Sequence, residues 1–203
     1  MRKKYSELRE EASKSLDGKW MMAALATLIY IAIAAGVSSI PFIGTVLAFL
    51  IGYPLVYGYY ILLLDGFRGA EKLELGTLFE GFKDYGRIFG TMFLMFIYQF
   101  LWTLLLVIPG IIKGYSYALT PYILRDEPQL KFNGAIEKSM RMMEGHKMDL
   151  FILDLTFIGW GLLCIITFGL AYFWVAPYFQ TARIAFYEML KAEQAEEEPA
   201  TEM

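Results

Sequence analysis

Residues 108–128, IPGIIKGYSYALTPYILRDEP, decide how this chain is read. The stretch opens on a Pro-Gly turn, continues as apolar helix, carries Pro121 in its middle and stops at Arg125-Asp126-Glu127-Pro128. A proline inside a helix removes a hydrogen bond, crowds the preceding turn and costs roughly 3 kcal/mol or more. Two further prolines are placed alike, Pro54 in YPLVYG and Pro177 in VAPYFQ. A kink is expected at each of the three.

Working outward, six apolar runs appear at about 20–39, 43–64, 88–108, 110–124, 150–168 and 170–187. Roughly 20 residues cross a bilayer core, so the first, second, third and fifth runs are long enough. The fourth and sixth fit if Arg125 and Arg183 snorkel from their ends. IPFIG, IPGII and ITFGLA join the runs in pairs, and such tight Gly/Pro connectors make each pair an antiparallel hairpin. All but Lys113 of the 18 Lys and Arg fall on one side of this arrangement. The positive-inside rule makes that side the cytoplasm. The expected protein is an all-α, polytopic protein of the bacterial inner membrane, with both termini cytoplasmic and the lipid bilayer as its first partner.

The hairpins repeat. Gly18-Lys19, Gly86-Arg87 and Gly145-His146-Lys147 each precede an apolar helix, a connector glycine follows at Gly44, Gly110 and Gly169, and then comes the proline. A short amphipathic helix is expected before each hairpin, with stripes Tyr5/Leu8/Ala12/Leu16, Leu75/Leu78/Phe79/Phe82 and Phe132/Ile136/Met140/Met143. These helices either lie in the headgroup interface or pack on one another. The units run at about 1–66, 67–127 and 128–190 within one membrane domain, 1–190. The acidic remainder, 191–203, lacks apolar periodicity and is expected to be disordered.

The chain resembles a family of bacterial integral membrane proteins known as domain of unknown function 975. IPGIIKGYSYALTPYIL, HKMDLFILDLTFIGWGLL and VAPYFQTARIAFYEML carry the likeness. It implies a multi-span membrane protein and brings neither an activity nor functional residues.

Composition excludes several classes. The 203 residues are 57% hydrophobic with a net charge of −3, which argues against a nucleic-acid binder. The polar N-terminal stretch is not a signal peptide. One cysteine, Cys164, and one histidine, His146, leave no metal site, and no phosphate loop or nucleophile elbow is present. No cofactor and no enzymatic activity are expected.

Ionisable groups inside spans are costly and are functional candidates by default. Counting back from a turn near 168–169 sets Asp154 level with Arg183, and a turn near 42 sets Lys19 level with Asp65, so two ion pairs are expected near the inner boundary. Gln99 and Thr120 share a level in the second hairpin. Tyr53, Tyr57 and Tyr117, with Gln99 and Thr120, are candidates to line an interior cavity. The reading preferred over a cavity is a packed core whose hydroxyls bond carbonyls freed by the prolines, with Gln99 and Thr120 as packing contacts. Gly159 and Gly161 suggest close helix approach. The function expected first is non-enzymatic transport or binding of a small hydrophobic or lipidic substrate. A scaffold or stress-response subunit acting through the amphipathic helices, on a protein partner or as a homo-oligomer, is the alternative. An enzyme acting on lipid through Asp154, Glu188 and His146 ranks third.

Overall fold

The computed structural model describes residues 4–197, which form helices and turns with no strand. Helix α1 (Tyr5–Ser15) leads into α2 (Trp20–Ser38), and α3 (Gly44–Phe67) returns beside it. No charge falls within residues 20–64, so neither α2 nor the apolar part of α3 has an ionised side chain to accommodate. The chain turns at 39–43, where Pro41 follows α2 and Phe42 takes a left-handed φ of 66°. A 3₁₀ helix (Leu75–Phe82) then precedes α4 (Tyr85–Leu105), and an extended Leu106 reverses the chain into α5 (Val107–Tyr117). Helices α6 (Thr120–Asp126), α7 (Asn133–Met142), α8 (Lys147–Leu155), α9 (Ile158–Ile166) and α10 (Tyr172–Glu197) complete the order.

Among the described residues, four stretches are long and apolar enough to cross a membrane: Trp20–Ser38, Gly44–Phe67, Tyr85–Leu105 and Lys147–Ile166. The fourth apolar run of the sequence is divided between α5 and α6. The sixth lies in α10, whose second half carries Glu188, Lys191 and Glu193. Helix α10 runs on through 191–197, which corrects the expectation of a disordered tail beginning at 191. Residues 198–203 of that tail lie outside the described residues.

The prolines differ in placement. Pro54 and Pro177 lie inside α3 and α10. Pro121 instead falls in the first turn of α6, where a missing N–H leaves no helical partner wanting. A break at 118–119 therefore replaces the kink expected there. Ser139 of α7 bridges that break, donating to the Ser116 carbonyl at 2.8 Å and accepting from the Leu119 N–H at 3.2 Å. At Pro54 the carbonyl left without its helical partner is that of Leu50, and the Tyr85 hydroxyl donates to it at 3.1 Å.

The first stripe faces the bundle, and the other two do so in part, with Phe79, Phe82 and Phe132 exposed. Leu8, Ala12 and Leu16 are buried, as are Leu78, Ile136 and Met143. Helix α1 packs on α10 and α3, the 3₁₀ helix on α3, α4 and α2, and α7 on α4, α5 and α6. Left-handed Gly18 (φ 74°) and Gly145 (φ 80°) turn the chain from α1 into α2 and from α7 into α8. The matching Gly86 sits within α4 and makes no such turn. Two glycines lock the 3₁₀ helix onto α3, Gly58 against the Leu78 carbonyl and Gly81 against Pro54. This layer closes the charged end of the bundle. The opposite end exposes apolar tips, with Phe42 and Phe168 fully outside.

Candidate functional site

At the charged end, side chains tie the helix ends together. Arg68, just past α3, grips Asp126 at the end of α6 through two bonds of 2.7 Å, and also binds Glu188 of α10 at 2.6 Å. The Tyr187 hydroxyl (2.8 Å) and Lys191 (2.5 Å) donate to the same Asp126 carboxylate. Burial alone would raise the Asp126 pKa, but the bonds from Arg68, Lys191 and Tyr187 outweigh it and hold the carboxyl well below the ordinary range.

A folded pKa below the unfolded one means the unfolded chain binds the extra proton. The stability Asp126 contributes is then complete above about pH 4, the ordinary aspartate value, and is lost as pH falls through the lower folded value. Melting temperature followed on acidification should drop below about pH 4, and Asp126→Asn should be less stable at neutral pH with a shallower acid drop. An unchanged acid drop in that variant would contradict the assignment.

Of the two ion pairs expected from hairpin register, the structure brings one together. Asp154 of α8 accepts from Arg183 of α10, at 3.0 Å from Nε to Oδ1 and through Nη2 to Oδ2. The Tyr115 hydroxyl of α5 donates to the same Oδ2 at 3.0 Å, and the guanidinium lies 4.7 Å from the Phe179 ring centre. The other pair is corrected. Lys19 donates to the Gly66 carbonyl at 2.9 Å, one residue beyond Asp65. Asp65 instead faces Arg125 at 3.1 Å, and Arg125 also holds Glu80 at 2.6 Å. Two carboxylates from neighbouring elements therefore share Arg125, an arrangement that counting within one hairpin cannot reveal.

Two cavities, each open on one side, flank this ion pair. One, of about 350 Å³, lies between α3, α4, α5 and α10, lined by Tyr53, Met92, Phe96, Gln99 and Tyr117 among others. The second, of about 600 Å³, lies between α2, α3, α9 and α10, lined by Tyr30, Tyr59, Asp154, Cys164 and Tyr172 among others. Val56, Tyr60, Gln180 and Arg183 line both. The walls are mainly aromatic and aliphatic, and Arg183 is the cation shared by both.

Tyr53, Gln99 and Tyr117 thus stand where a cavity-lining role expects them. Tyr57 and Thr120 do not line either cavity. Tyr57 is 3% exposed within the packed core, and the Thr120 hydroxyl is buried with no hydrogen-bond partner among the described residues. Gln99 does not reach Thr120; its amide donates to the Gly110 carbonyl at 2.8 Å and so pins α4 to α5. Close packing was expected around Gly159 and Gly161, but the space beside both is open. The sequence did not single out Gln180, Val56 or the Tyr115 hydroxyl that joins Arg183 as a third donor to Asp154. Gln180, three residues before Arg183 and so on the same helix face, was the available polar signal. Among the described residues, no three of His, Cys, Asp and Glu converge as a metal site.

Fold and site together define a helical protein with four membrane-length apolar stretches among the described residues and an ion pair beside two open cavities. Residues 103–194 match the model of the family described as "Protein of unknown function (DUF975)", which agrees with the resemblance carried by the second half of the sequence. No curated protein and no solved structure gives a significant match.

Proposed function

We propose that this chain is a six-span protein of the bacterial inner membrane, non-enzymatic, whose interior takes up a lipidic or small hydrophobic molecule. The observation that carries this reading is the meeting of two cavities of about 350 and 600 Å³ at Val56, Tyr60, Gln180 and Arg183. Apolar walls with a few convergent polar groups are the usual make-up of a small-molecule site, and both volumes fall in the range of roughly 300–1,000 Å³ such sites occupy. The one-sided distribution of Lys and Arg supports a cytoplasmic placement of the charged end and of both termini. In this reading the α5–α6 segment and the first half of α10 supply the remaining two spans. The scaffold alternative keeps one specific point of support: half of the stripe residues are buried against the bundle, but Phe79, Phe82 and Phe132 are exposed.

Val56→Trp tests the reading, since this position lines both cavities and the added indole occupies the space. Native mass spectrometry of the purified protein should show bound lipid falling about tenfold. Undiminished lipid at an unchanged melting temperature would overturn it.

A further inference from the structure

We propose that the Nη1 edge of Arg183 recognises a phosphate-bearing lipid headgroup drawn into the bundle beside α10. The inference rests on the lipid-binding reading above and names the headgroup chemistry that reading leaves open. A guanidinium presents five N–H donors in a planar fork. Asp154 takes up the edge formed by Nε and Nη2. Nη1 donates to no group among the described residues, and the Arg183 side chain keeps 28% of its surface exposed. Arg183 is also the one residue with a permanent positive charge that lines both cavities.

An arginine among apolar helices is costly, and a carboxylate partner alone would neutralise it. The structure supplies more than neutralisation: Tyr115 holds the Asp154 oxygen that Nη2 also binds, and Phe179 lies against the guanidinium, so the fork is fixed in direction. Fixed guanidinium forks suit phosphate oxygens, and such bonds strengthen away from water. Depth agrees. Asp154 lies seven residues beyond Lys147, about 10 Å along the helix axis at 1.5 Å per residue. A headgroup drawn to that level would leave its chains beside Val56, Met92 and Phe96.

The test uses the purified full chain in detergent and native mass spectrometry with three probes: phosphatidylglycerol, diacylglycerol with the same chains, and inorganic phosphate. Phosphatidylglycerol should bind about tenfold more tightly than diacylglycerol. Arg183→Gln should abolish that preference while diacylglycerol binding persists. Should Arg183→Gln fail to fold, Asp154→Asn carries the test: phosphatidylglycerol, and not diacylglycerol, should raise its melting temperature by replacing the lost counter-charge. Equal binding of both lipids to the wild type would overturn headgroup recognition and leave the cavity reading standing. Absence of any bound lipid would overturn both. Saturation by inorganic phosphate, with phosphatidylglycerol no better than diacylglycerol, would assign the site to a free anion and overturn the lipid.

Discussion

Gly58→Ala and Gly81→Ala are each expected to dislodge the 3₁₀ helix from α3, with a loss of about 3 kcal/mol or more. A methyl group at Gly58 would overlap the Leu78 carbonyl oxygen and come within 2.7 Å of the Thr77 carbonyl oxygen. One at Gly81 would overlap the carbonyl of Pro54 and lie 2.7 Å from its Cα. Overpacking in a core usually costs about 1–3 kcal/mol because side chains shift to relieve it. Here the opposing atoms are backbone on both sides, and Pro54 is further fixed by its ring. The melting temperature should fall by about 10 °C in each variant. Gly159→Ala and Gly161→Ala are the controls, since the space beside both is open. Equal effects in all four would contradict the interlock.

Asp154→Asn is expected to be the most damaging change of a single charge, because it leaves the Arg183 guanidinium without its carboxylate. Removing one partner of a buried pair costs about 3–5 kcal/mol. With side chains 13% and 28% exposed, the low end of that range applies. Arg183→Gln strands a carboxylate that still holds the Tyr115 hydroxyl. The double variant should therefore be less destabilised than the two single changes summed, and thermal melting of all three detects the coupling. Additive effects would mean that the pair contributes nothing as a pair.

Much of the helical layout was legible in the sequence because it depends on local chemistry. Long charge-free runs mark α2, α3 and α4 to within a few residues. The Asp154–Arg183 pair could be read from the register of one hairpin, since two helices joined by a short turn have little freedom to slide. Contacts between hairpins carry no such local signal. Asp65 was assigned to Lys19, and its partner Arg125 comes from another unit. The two Gly58 and Gly81 contacts were invisible for the same reason: a glycine that meets another element's backbone looks like any other glycine. The break before Pro121 was misread as a kink, although proline favours a first helical turn. What fixed the break was Ser139, distant in sequence and supplying both a donor and an acceptor.

The central claim is that the space beside α10 holds a lipid. Photo-crosslinking with a lipid that bears a photoactivatable group partway along one chain addresses it directly, with adducts located by peptide mass spectrometry. Adducts are expected on Val56, Tyr60 and Gln180, which line the two cavities, and should be lost in Val56→Trp. Adducts confined to outward-facing residues such as Phe93, Phe100 and Leu104, unchanged in that variant, would show lipid on the outside of the bundle only and would contradict the claim.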